Sequence, residues 1–135
     1  RSIVTRCGQA TRSYSIEAVT GVDLNELAIA AALGERPSRS PVTGQSPGVA
    51  GACVLFLVPP EGVLRSVHNV DDAAAVDGVR WVRIYRRPGW RFGPLLRGAD
   101  RAGAILAVGR DREGALGRAR RAAEAVRFQV DADAT

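Results

Sequence analysis

The sequence predicts an α+β fold, a mainly antiparallel sheet with helices packed on one face. Two strongly apolar runs, residues 51–58 and 103–108, have the length and the flanking Gly or Pro residues of buried strands. Shorter strand-like runs lie between them, and segments with helical spacing precede the first run and follow the second. At 135 residues, the chain is long enough to bury its own core, so we expect one domain, residues 1–135.

The first third of the chain predicts a short strand followed by two helices. Residues 2–6 are β-prone, and residues 12–20 have the spacing of a short helix. A second helix is predicted to begin at an Asp23 N-cap and to end at Gly34. Its apolar face comprises Leu24, Leu27, Ala28, Ala31 and Ala32.

Residues 35–49 predict a long loop because they contain three Pro and two Gly among polar residues. Such a loop is either a lid or a solvated connection, and the solvated connection is the simpler interpretation.

Residues 50–69 predict an antiparallel hairpin around which the other elements are arranged. The apolar run stops at Pro59-Pro60, where two consecutive backbone donors are missing. Residues 59–62 form the predicted turn, and residues 63–69 alternate apolar and polar side chains, as in a strand with one wet face.

The remaining elements alternate short strands with two helices. The last helix is predicted to begin at an Asp111 cap and to bury Leu116, Ala119, Ala123 and Val126. The other predictions are a short helix (70–77), strands (79–87, 91–97 and 103–108), a last edge strand (128–130) and a frayed tail (131–135).

All nineteen basic residues are Arg, and the formal net charge is +5. Heavy use of Ala, Gly and Arg is explained more simply by a coding bias than by selection for a basic surface. The complete absence of Lys nevertheless excludes Schiff-base, biotinyl-lysine and P-loop chemistry from this chain.

The two cysteines do not form a metal-binding pattern. Cys7 and Cys53 lie far apart in sequence with no CxxC spacing, and His68 is the only histidine. Cys53 is predicted to be a core residue, whereas Cys7 could act as a nucleophile only with His68 as its base. No run approaches the roughly 18 apolar residues of a membrane span, so we expect a cytoplasmic protein without a membrane partner.

Arginine and aromatic residues alternate along the third predicted strand. Trp81, Arg83, Tyr85 and Arg87 share one face there. This pattern is typical of single-stranded nucleic-acid platforms and also of half-exposed strands on which Arg stems cover aromatic rings. The second interpretation is favoured, which makes a nucleic-acid partner the weaker hypothesis.

Several short motifs follow one another in an order that resembles the C-terminal portion of ATP-grasp ligases. They are Arg6-Cys7-Gly8, residues 18–24 (AVTGVDL), 31–34 (AALG), 52–62, Pro88-Gly89 and 101–115 (RAGAILAVGRDREGA). The resemblance covers nearly the whole chain. Within that superfamily, it is closest to the branch of L-amino acid ligases and biotin carboxylase-like carboxylate-amine ligases.

The resemblance implies an acyl-phosphate mechanism with ATP and magnesium as cofactors of a complete enzyme. In the family, a Glu-x-Asn-x-Arg strand supplies metal ligands and a phosphate-binding Arg. Matching that strand to this chain makes Arg6 the phosphate-binding residue and puts Ser2 and Val4 at the metal-ligand positions. Val4 has no ligand oxygen, so we expect the chain alone to bind neither magnesium nor ATP, and we assign no catalytic or metal-ligating residue.

Three functions therefore stay open from the sequence. The first is the C-terminal lobe of an ATP-grasp amino-acid ligase, which is inactive alone and needs upstream ATP-binding subdomains or a partner chain. The second is a non-catalytic binding or dimerisation module, forming a homodimer through an exposed sheet edge. The third is a single-stranded nucleic-acid binder that uses Trp81, Arg83, Tyr85 and Arg87.

Overall fold

A computed structural model of the chain describes residue 18 and residues 24–35 and 49–132. In chain order, the elements are α1 (Leu24–Ala32), β1 (Gly51–Leu57), β2 (Gly62–His68), α2 (Val70–Ala74), β3 (Val79–Ile84), β4 (Arg91–Phe92), a 3-10 turn (Gly98–Asp100), β5 (Gly103–Gly109), α3 (Arg112–Ala125) and β6 (Arg127–Asp131). All strand pairs among these residues are antiparallel, so the predicted α+β class is confirmed, with two small sheets in place of the one that was predicted.

The first sheet has the strand order β1-β5-β3, and its central strand β5 is buried along its whole length. β1 pairs with β5 in continuous register from Gly51 opposite Gly109 to Leu57 opposite Gly103. Helix α3 covers one face of this sheet. Its buried residues are all alanines (Ala115, Ala119 and Ala122), and these short side chains let the helix backbone approach the fully buried Leu55 and Ile105.

The second sheet has the order β4-β2-β6 and encloses a smaller core. Leu64, Phe92 and Ala102 are buried there, with Val130 packed beside them. Strand β2 bulges between Leu64 and Ser66, where its register against β6 shifts. Strand β6 ends at Asp131, the first residue of the predicted tail.

The predicted hairpin of residues 50–69 is wrong, because β1 and β2 belong to different sheets. A residue that precedes a proline is held in extended conformation, and both Val58 and Pro59 precede one. The chain therefore continues extended past β1 instead of reversing tightly. It begins the second sheet at Gly62, whose positive φ of 137° suits glycine.

Most other predicted elements are confirmed, with changes at their ends. Helices form near the predicted places at α1, α2 and α3, but the alanines at 28, 31 and 32 of α1 are exposed. The predicted strand 91–97 is reduced to β4, since Pro94 has no backbone donor for a ladder. The predicted strand 2–6, most of helix 12–20, the Asp23 cap and most of loop 35–49 lie outside the described residues.

Candidate functional site

Positive charge is concentrated from the end of β3 to the residues just before β5. Residues 83–101 contain six arginines and one acidic residue, so this segment contributes 6 − 1 = +5, which equals the formal net charge of the whole chain. We call residues 83–101 the arginine-rich crossover, because the chain here leaves the first sheet, forms β4 in the second sheet and returns to β5. Such a local excess of one sign attracts anionic ligands or acidic surfaces.

Arg86 connects the two turns of the crossover. Its guanidinium lies 4.0 Å from the centroid of the Trp90 ring, and Nη2 donates a hydrogen bond to the carbonyl of Ala99. The first contact fixes the turn after β3, and the second fixes the 3-10 turn before β5. The backbone of the first turn is also joined to β2, since Gly89 donates to the Leu64 carbonyl over 2.7 Å.

Asp100 holds the second turn from inside. Its carboxylate accepts the backbone N–H groups of Leu96 at 3.0 Å and of Arg97 at 2.6 Å. These hydrogen bonds, that of Arg97 first, lower the pKa of Asp100 below its ordinary value of 3.8, and the charges of Arg97 and Arg86 act in the same direction. The carboxylate is therefore ionised at neutral pH and keeps the backbone of Leu96 and Arg97 in one arrangement.

The crossover also exposes large apolar side chains. Tyr85 is 48% exposed, Trp90 45%, Leu95 40% and Leu96 80%, whereas the other strongly exposed large apolar residues described are Ile29 on α1 and Leu33 directly after it. An open cavity of about 470 Å³ is lined by residues 85–90. Apolar and aromatic side chains among arginines are a composition enriched at protein interfaces.

Two further arginine-aromatic pairs lie on the face of the first sheet opposite α3. The guanidinium of Arg83 is 4.3 Å from the Trp81 ring centroid, and that of Arg101 is 3.6 Å from the Phe56 ring centroid. We call these four residues the guanidinium face. A guanidinium that stacks on a ring keeps its N–H bonds in its own plane, where they suit carboxylate or phosphate oxygens.

The residues that sequence analysis singled out for function do not come together in the described part of the chain. Arg6, Ser2, Val4 and Cys7 lie outside the described residues. Cys53 is buried in the core, as predicted. The His68 ring nitrogen Nε2 lies 2.7 Å from the Ser66 hydroxyl oxygen, at the end of β2.

The proposed nucleic-acid face does not form one row. Strand β3 ends at Ile84, so Tyr85 and Arg87 lie beyond it. Trp81 packs against the core residues of the first sheet, and Arg83 covers its ring. Sequence reasoning treated these arginines as parts of separate elements and missed the crossover as one surface. A local charge count over residues 83–101 would have found it.

No group of three or more His, Cys, Asp and Glu residues in the described part of the chain could hold a metal ion. Among the same residues, no helix is both long enough and apolar enough to cross a membrane. The charged side chains that the crossover exposes are mainly Arg guanidinium groups. The crossover is therefore suited to binding anions.

Residues 55–131 match the family model described as L-amino acid ligase C-terminal domain 2. This chain belongs to that family. The matched range runs from the middle of β1 to the last residue of β6, so it contains the whole crossover. A comparison with curated protein sequences found no match.

Three solved structures of ATP-grasp enzymes share this fold. The L-amino acid ligase from Bacillus licheniformis superposes with a TM-score of 0.72 at 17% identity, over 94% of this chain and 31% of that chain. Phosphoribosylglycinamide synthetase from Anaerococcus prevotii gives 0.74 at 12% identity, over 90% and 30% of the two chains. The biotin carboxylase domain of 2-oxoglutarate carboxylase from Hydrogenobacter thermophilus, a dimer in complex with MgADP, ADP and bicarbonate, gives 0.62 at 19% identity, over 93% and 27%.

These similarities confirm the predicted resemblance to the C-terminal region of ATP-grasp ligases. At such low identities, the superpositions show the fold alone. The chain spans about three tenths of the length of these solved relatives.

Proposed function

We propose that this chain is the C-terminal lobe of an ATP-grasp carboxylate-amine ligase with amino-acid-like substrates. One observation supports the proposal most strongly: the family model of the L-amino acid ligase C-terminal domain matches more than half of the chain. The lobe is incomplete for catalysis and requires an ATP-binding region, either in the same polypeptide or in a partner chain.

The described residues do not fit a magnesium site. A hard cation takes several oxygen ligands, and the described part of the chain offers no group of three or more His, Cys, Asp and Glu residues that could hold one. Val4 also has no ligand oxygen at the position where the resembled motif has Asn. In this proposal, ATP and magnesium are bound by the ATP-binding region of the complete enzyme.

The contribution of this chain is the binding and orientation of anionic groups. ATP-grasp ligases convert a carboxylate into an acyl phosphate, and negative charge on the transferring group is stabilised by positioned cations. Arg6 is the proposed phosphate-binding residue, on the resemblance of its motif alone. Arg83 and Arg101, which stack on Trp81 and Phe56, add two oriented guanidinium groups on one face of the first sheet.

The test compares the isolated chain with a polypeptide in which the ATP-binding region precedes it. The longer polypeptide is expected to form ADP only when ATP and amino acids are both present, and residues 1–135 alone are expected to form none. Arg6→Ala should lower kcat/KM about 100-fold or more if its guanidinium stabilises the transferring phosphoryl group. Arg121→Ala, an exposed position on α3, is the matched control.

Two results would contradict this assignment. A longer polypeptide that forms no ADP in response to amino acids would remove the ligase function. Full activity of the Arg6→Ala variant would leave the ligase function in place but remove Arg6 from its site.

A homodimeric binding module is the second candidate function. Strand β6 is an edge of the second sheet and alternates exposed and half-buried residues, which supports pairing with another edge strand. Sedimentation equilibrium tests it: a stable dimer of residues 1–135, together with no amino-acid-dependent ADP formation by the longer polypeptide, would favour the module over the ligase.

A further inference from the structure

We propose that the exposed residues of the segment 85–97, within the arginine-rich crossover, form the docking surface for the ATP-binding region of the ligase. The surface on that region carries apolar residues surrounded by Asp and Glu carboxylates. This inference rests on the proposed function, because it names the partner of the same lobe.

The composition of the surface indicates a protein partner. Tyr85, Trp90 and Leu96 leave about half or more of their surface in contact with water, at 48%, 45% and 80% exposure. Exposed apolar residues that cluster in one segment gain free energy when a partner covers them, and Trp, Tyr and Arg are the residue types that most often dominate binding energies. Arg87 and Arg97 are exposed beside them, which adds a charged rim.

The surface is held in place before any partner binds. Arg86 contacts the Trp90 ring and the Ala99 carbonyl, while Asp100 accepts the N–H groups of Leu96 and Arg97. The two turns that present Trp90 and Leu96 are therefore connected through side chains of the crossover itself. A loop that is already ordered loses less conformational entropy on binding, so its contacts contribute more fully to affinity.

The charge of the crossover selects among possible partners. Residues 85–97 contain four arginines and no acidic residue, so a second copy docked through the same surface would bring two segments of +4 together, and like charges placed face to face oppose association. A single-stranded nucleic acid would use stacking on aromatic rings, but Leu95 and Leu96 offer no such contact, and Arg86 already covers one face of Trp90. An acidic, partly apolar protein surface satisfies both the charges and the leucines.

The size of the relatives points to the ATP-binding region as that protein. This chain covers 31% of the Bacillus licheniformis ligase and 27% of the biotin carboxylase chain, so most of each enzyme lies outside the matching region. The remainder of a single-chain enzyme is at high effective concentration near this lobe, which favours contact with its exposed surfaces.

The experiment uses the longer polypeptide with a protease site inserted before Arg1. After cleavage, titration calorimetry measures the Kd between the ATP-binding region and residues 1–135. Arg87→Glu and Leu96→Ser are each expected to raise Kd about tenfold or more. Arg121→Glu, the same charge change at an exposed position of α3, is expected to change Kd by less than about twofold. Thermal melting of each lobe variant and of the separated ATP-binding region checks that both partners are folded, and saturable binding of the wild-type pair is the reference.

The outcomes separate this inference from the proposed function. Unchanged Kd values for both crossover variants, with folded proteins, would overturn the docking surface even if the uncut polypeptide is an active ligase. Equal effects of Arg87→Glu and Arg121→Glu would also overturn it, because they would show a response to net charge alone. If the uncut wild-type polypeptide forms no ADP in response to amino acids, that result would instead contradict the ligase function.

Discussion

The layer formed by the first sheet and α3 differs sharply from the arginine-rich crossover, although both belong to one continuous fold. In the layer, every residue of β5 is buried and α3 packs through alanines. In the crossover, most residues are exposed, and the turns are held by contacts of Arg86 and Asp100. Stability is therefore expected to depend on the layer and binding on the crossover, and substitutions should separate the two properties.

The largest expected effect on stability is in the layer. Leu55→Ala removes a side chain with no exposed surface from the centre of β1, where α3 and β5 surround it. The lost burial and the cavity should lower the free energy of unfolding by about 2–5 kcal/mol. Urea denaturation followed by far-UV circular dichroism measures this change. A loss below about 1 kcal/mol would show that the layer is not the main source of stability.

A smaller effect is expected where α3 begins. The Asp111 carboxylate accepts the N–H of Gly114 at 2.7 Å, which caps the helix. Asp111→Ala should cost about 0.5–2 kcal/mol in the same denaturation experiment. Glu61→Ala, an exposed residue of the connection between β1 and β2, is the control and should change stability by less than about 0.5 kcal/mol.

In the crossover, the stability contribution of Asp100 is expected to depend on pH. Because the pKa of Asp100 in the folded chain lies below its ordinary value of 3.8, the ionised carboxylate stabilises the fold. That contribution is complete above the unfolded pKa and is lost as the pH falls through the lowered folded pKa. Asp100→Asn should therefore be less stable than wild type near neutral pH, and the difference should shrink as the pH falls below 3.8. A difference that does not vary with pH would contradict this.

The smallest stability effect is expected on the exposed surface of the crossover. Leu96 is 80% exposed, so Leu96→Ser should change the free energy of unfolding by less than about 0.5 kcal/mol. The same substitution is expected to weaken docking to the ATP-binding region. A loss of binding without a loss of stability would show that Leu96 acts at the surface and not in the packing of the fold. A large loss of stability would mean that Leu96 packs within the fold.

The sequence predicted the parts of the fold that depend on local pattern. The runs that became β1 and β5, the Asp111 cap and the buried Cys53 were all visible as apolar periodicity or capping residues. These features are encoded within a few neighbouring residues, so no tertiary information was needed. The family resemblance came from the order of motifs along nearly the whole chain, which is also read from sequence alone.

The errors concern choices that only tertiary packing makes. β1 is adjacent to β2 in sequence but pairs with β5, because both are apolar along their length and can be covered on both faces. The buried stripe of α3 is centred on Ala115, Ala119 and Ala122, while Leu116 and Ala123 are only partly buried. The crossover was missed because its charge belongs to several short elements that come together only in the folded chain.

We propose that this chain is one part of a ligase and does not bind MgATP by itself. Titration calorimetry of MgATP into residues 1–135, compared with the polypeptide that also contains the ATP-binding region, tests it most directly. We expect saturable binding to the longer polypeptide and only heats of dilution with residues 1–135. Saturable binding of MgATP to residues 1–135 in the micromolar range would contradict it.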